Sequence, residues 1–177
     1  MPSQGWRETL TTYPAGTART AAAEDEIVDD FLLPAGYMKA GRMLKLHLVG
    51  KASNAVTTPG TLTVKIRWGT ITGTVLVTSA ALAQNVAAQT DKTWTLEAYI
   101  LCLTSGSAGT FLTWGTMHRG NCAVGATSDI TPDMLPASSL AAVTVDTTVE
   151  KALTVTVTPS LGTASIQCLA GVLESLN

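Results

Sequence analysis

Charge is what this 177-residue chain has least of. Asp, Glu, Lys and Arg together make up 14% of it, against about 25% in average soluble proteins. The small balance that remains is slightly negative, -2 at neutral pH. That sign argues against non-specific attraction to nucleic acid or to an anionic membrane surface. Cysteine is nearly as scarce: Cys102, Cys122 and Cys168 are an odd set with no paired spacing. Such a set fits neither a disulfide framework nor a zinc site, so free thiols made in a reducing cytoplasm are expected. No stretch reaches the roughly 18 unbroken apolar residues of a membrane span. The opening residues lack a basic head followed by an apolar run, so no secretion signal is expected.

Threonine is the commonest residue, and with valine and alanine it favours pleated sheet. Residues 42–49 (RMLKLHLV) and 60–68 (GTLTVKIRW) alternate strictly and are separated by turn-formers. They read as neighbouring antiparallel strands. Leu44, Leu46 and Leu48, with Leu62, Val64, Ile66 and Trp68, face inward on this reading. Lys45 and His47, with Lys65 and Arg67, face the other side. A longer alternating run begins at Asp91 and places Trp94, Leu96, Ala98, Ile100 and Cys102 inward. Its end, with Leu101 and Leu103, is apolar on both faces and is expected to be covered on both sides. A Gly-rich turn at 105–109 leads into a return strand whose Leu112 and Trp114 read as inward. Residues 79–89 read as a loop or short helix, and 123–140 as a long irregular connection docked by Met134 and Leu135. Alternation resumes from Ala142 to the end.

About eight to ten strands with no convincing helix indicate an all-β fold. The expected architecture is a two-sheet antiparallel sandwich of jelly-roll or Greek-key topology. Residues 1–25 read as an extended N-terminal arm, with Trp6 and Tyr13 as its large anchors, and 26–177 as a single β-sandwich domain. Whether the arm lies on its own sandwich or on a neighbour is open at this level. The acidic run Glu24, Asp25, Glu26, Asp29 and Asp30 lacks the spacing of a calcium loop. It reads as a solvated strand edge.

No constellation for catalysis assembles, and no cofactor or metal is expected. The only histidines are His47 and His118. A Cys122/His118 dyad is conceivable, but His118 reads first as a satisfied structural histidine. No Gly-rich phosphate loop precedes a helix. The stripe of Lys45, Lys65 and Arg67 reads as a solvated sheet face, or as a contact for an acidic partner such as residues 24–30 of a neighbour.

Residues 33–54 (LPAGYMKAGRMLKLHLVGKASN) and 58–69 (TPGTLTVKIRWG) carry a recurring rhythm of turn, strand, turn, strand. With the Trp94 strand and the Gly106–Gly109 turn, they resemble structural proteins of tailed bacteriophages: jelly-roll modules of capsid decoration proteins, head fibres and tail components. The resemblance covers about residues 30 to 120. It implies a virion location and assembly with the major capsid protein and with copies of itself, as a homotrimer, and it carries no catalytic residues. The candidate partner-contact residues are Trp6, Tyr13, Lys45, Lys65, Arg67, Met134 and Leu135. The alternative is a tail module that recognises a host surface glycan through loop aromatics, for which Tyr13 and Tyr37 qualify. An enzyme such as a depolymerase ranks third and requires converging carboxylates in a cleft.

Overall fold

A computed structural model describes residues 7–55, 60–120 and 130–176. Among them the chain is all-β, folded into two antiparallel sheets packed as a sandwich. One sheet has seven strands. Its centre is β4 (Met43–Asn54) paired with β8 (Gln89–Thr104), which forms a hairpin with β9 (Gly109–Gly120). On one flank β13 (Ala164–Leu176) and then β1 (Arg7–Tyr13) extend the sheet. On the other flank, β10 (Ile130–Leu135) and β11 (Ala142–Val145) share the outer edge of β9.

The second sheet has six strands built around β12 (Lys151–Pro159) and β5 (Thr61–Trp68). The short strands β2 (Asp25–Glu26) and β3 (Phe31–Leu33) pair the free edge of β12. The strands β6 (Thr74–Thr78) and β7 (Leu82–Ala83) pair that of β5.

The two strands expected to be neighbours, β4 and β5, therefore belong to opposite sheets. Their inward faces were identified correctly, for Leu44, Leu46, Leu48, Leu62, Val64 and Ile66 are each fully buried. They meet across the core, not along a shared ladder. Alternation reports which side of a strand is buried, whereas partner choice depends on residues far away in the chain. Here β8 and β13 take both edges of β4, leaving none for β5.

The core is closed across the sheets by Trp68 and Phe111, whose rings meet edge to face at 4.9 Å between centroids. The Trp68 indole N–H donates to the Asp146 carbonyl at 3.0 Å, so its polar end is satisfied. Trp94 lies on Gly50, directly opposite it on β4. A glycine there leaves bare backbone for the indole to cover.

Of the two readings of residues 79–89, the structure bears out the loop, in which Leu82 and Ala83 bridge to β5. Two further readings need correction. Part of the supposed irregular connection is strand β10, in register with β9 from Ile130 to Leu135. The return strand β9 is turned over, because Cys102 stands opposite Phe111 and Tyr99 opposite Trp114. Phe111, Thr113, Gly115, Met117 and Arg119 point inward, and Leu112, Trp114 and Thr116 face outward.

Residues 7–33 close one side of the sandwich. β1 runs along β13, and beyond it the Gly16 and Arg19 amides donate to the carbonyls of Cys168 and Ile166 at 2.9 and 2.8 Å. The segment then crosses to the other sheet, where the Ile27 amide donates to the Val155 carbonyl at 3.0 Å. The chain's own β13 and β12 thus hold the part of the expected arm that is described.

Candidate contact surfaces

The basic stripe does not exist as one face. Lys65 and Arg67 project from the outer face of the six-stranded sheet, while Lys45 projects from the outer face of the seven-stranded one. Glu24 of the same chain lies over Lys65 and Arg67. Its carboxylate accepts from Lys65 Nζ at 2.7 Å, Arg67 Nε at 2.8 Å, Arg67 Nη2 at 2.9 Å and Thr156 Oγ1 at 2.5 Å. Burial alone pushes the Glu24 carboxyl up, but the hydrogen bonds from Arg67, Lys65 and Thr156 outweigh it and hold the group at about 2. Arg67 also donates to the Gly73 carbonyl at 2.7 Å. These side chains are committed within the chain, and the acidic run is their internal partner.

Around this lock the six-stranded sheet turns threonine outward. Thr154 and Thr156 are fully buried beneath residues 24–30, with Thr154 hydrogen-bonded to Asp30 and to the Gly69 carbonyl. Thr63 and Thr158 are partly exposed.

The seven-stranded sheet presents a different surface. Tyr99 and Trp114 stack with centroids 5.5 Å apart and planes 18° from parallel. Lys45 Nζ lies 5.5 Å from the Tyr99 ring centre and pairs with Glu97 at 2.7 Å, which also accepts from the Tyr99 hydroxyl at 2.7 Å. Hydrogen bonds from Lys45 and then Tyr99 lower the Glu97 carboxyl, and the Glu97 bond raises Lys45. Beside them Arg7 donates through Nε and Nη2, one edge of its guanidinium, to the two carboxylate oxygens of Glu174. Around this polar row stand Met43, Leu101, Leu112 and Met134, all on the outward phase.

Trp6 lies outside the described residues, as does Cys122, so the Cys122/His118 dyad does too. Tyr13 is 5% exposed and packs in the core. Burial, then Asp30 and Cys168, raise its phenol pKa. Tyr37 is partly buried, with the Arg42 guanidinium 4.3 Å over its ring. Neither tyrosine is the exposed loop aromatic that glycan binding needs. Leu135 docks its segment, being fully buried, whereas Met134 is 62% exposed.

Sequence reasoning passed over Arg119. It is buried between the sheets, donating to Asp133 at 2.7 Å and to the Ala83 carbonyl at 3.0 Å, and so ties β10 and β7 to β9. No alternation rule flags it, because a cation on the inward phase looks like a strand end.

The reactive side chains are dispersed. Cys102 and Cys168 are fully buried, with thiols pushed up by burial and directed at backbone carbonyls. His47 and His118 are exposed on the outer face of the seven-stranded sheet. Among the described residues no group of three or more His, Cys, Asp or Glu is placed to hold a metal ion, and no helix is long and apolar enough to cross a membrane. A surface cavity of about 600 Å³ is lined by Asp30, Trp68, Asp146, Glu150 and Lys151. The Asp30 and Asp146 carboxylates there are engaged by Thr154 and Thr148. No protein-family profile, curated protein or solved structure matches the chain.

Proposed function

We propose that this chain is a non-enzymatic structural subunit of a tailed-bacteriophage virion, a decoration or head-fibre protein that works by covering surface. The observation that carries the reading is the outer face of the seven-stranded sheet. It turns Met43, Leu101, Leu112 and Trp114, each half-buried, away from the core beside the exposed Met134, a run of large apolar side chains left partly in solvent. Low overall charge supports the same reading, since a subunit covered by others needs little charge for its own solvation. Its chemistry is burial against the capsid shell and against its own copies. The proposed virion location rests on the sequence resemblance, and a two-sheet sandwich suits such a role.

The experiment is reconstitution. Purified chain is added to phage particles that lack it, and the mixture is resolved on a density gradient. Co-migration at a saturable ratio is expected. Protein that stays at the top of the gradient at every concentration refutes the proposal.

A further inference from the structure

The geometry points to a specific self-contact: two copies of the chain pack face to face, about a two-fold axis, through the outer surface of the seven-stranded sheet. The two outer surfaces of the sandwich differ in kind. That of the six-stranded sheet is threonine-rich and capped by Glu24 from the same chain. That of the seven-stranded sheet carries large apolar side chains at Met43, Leu101, Leu112, Trp114 and Met134, with Met134 at 62% exposure and the other four half-buried.

The register makes this a continuous patch. Met43, Leu101 and Leu112 stand side by side on β4, β8 and β9, and Tyr99 and Trp114 form the next row. Thr116 and Met134 extend the patch onto β10. β9 carries large apolar side chains on both faces, Phe111 and Met117 inward and Leu112 and Trp114 outward, the pattern of a strand whose outer side is also covered.

Two arguments select a second copy as the occupant. The first is charge. The charged side chains of this face are matched within the chain, Arg7 with Glu174, Lys45 with Glu97 and Lys51 with Asp91. A face already neutralised meets its own image without like-charge repulsion and offers little to a strongly charged partner. The second is area. Six strands spaced about 4.8 Å apart and some ten residues long at about 3.3 Å outline roughly 800 Å². That equals the approximately 800 Å² per partner of a stable, specific contact. An isologous two-fold contact uses one such patch twice, and aligned sheet-on-sheet packing is its natural geometry.

The pairing extends the proposed function but is tested on the isolated full chain, so its failure and absence from virions are separate results. Sedimentation equilibrium of the wild type is expected to give twice the chain mass. Leu112→Glu and Met134→Glu are each expected to shift it toward monomer, weakening association at least about 30-fold for the central Leu112. Thr63→Lys, on the outer face of the other sheet, is expected to leave the mass unchanged. Thermal melts monitored by circular dichroism establish that each variant is folded. Met134, being exposed, can be changed without touching the core. A monomeric wild type overturns the inference. So does a trimer, or a dimer that both Glu variants leave intact.

Discussion

The ring of Tyr99 stacks on that of Trp114 across β8 and β9, on the outside of the sheet, while Trp94 on the same strand as Tyr99 is buried to 1% exposure on the inside. Two tryptophans that sequence alternation treats alike thus do different work. Trp94→Ala is expected to cost about 3–5 kcal/mol, the range for deleting a buried aromatic. Trp114→Ala should cost about 1 kcal/mol in the monomer, the worth of a cross-strand aromatic pair. Urea unfolding of the two variants reads the difference, and the reverse order would refute the phase of β9.

Gly50 has no room for a side chain. A Cβ there would lie 2.0 Å from the Gln167 carbonyl oxygen and 2.5 Å from the Trp94 ring. Gly50→Ala is expected to destabilise by about 1–3 kcal/mol, as overpacking does, with Trp94 emission changed because the indole is displaced. A neutral Gly50→Ala substitution would mean that Trp94 does not rest on β4.

Glu24 predicts an acid-dependent lock. Its folded pKa is depressed to about 2, below the roughly 4.3 of an unfolded glutamate. The stability it supplies is therefore complete above the unfolded value and is lost as pH falls toward 2. Glu24→Gln is expected to cost about 2 kcal/mol at neutral pH, a loss of charge-assisted hydrogen bonds. The gap between variant and wild type should narrow from about pH 4 downward. Urea melts across that range test it, and a gap independent of pH would contradict the ion-pair assignment.

Arg119 and Asp133 supply the fourth test. Removing the cation alone leaves the Asp133 carboxylate and the Ala83 carbonyl without their donor. Arg119→Met is expected to cost about 3 kcal/mol, and the double variant Arg119→Met/Asp133→Leu less than the single. A double-mutant cycle on unfolding free energy measures the coupling.

Much of the fold was legible because alternation depends on burial alone. β4, β5, β8 and β12 bury the residues their pattern marks, and the two-sheet sandwich follows from strands of this kind without helices. Pairing was less accessible. Nothing in residues 42–68 indicates that β4 will be flanked by strands beginning at Gln89 and Ala164. The phase of β9 was hidden because both of its faces carry large apolar residues, Phe111 and Met117 on one and Leu112 and Trp114 on the other, so alternation alone does not choose between them. The fate of the charges was hidden for the same reason that pairing was: Glu24 reaches Lys65 and Arg67 across more than forty positions of sequence. The contact candidates accordingly changed, with Lys65, Arg67, Tyr13 and Leu135 spent within the chain, and Lys45 and Met134 left on the broad outer face.

The most direct measurement is quantitative mass spectrometry of gradient-purified phage particles, with the chain counted against the major capsid protein. A virion subunit predicts a fixed ratio that survives repeated banding. Recovery of the chain only in the particle-free fraction, at whatever abundance, contradicts the account.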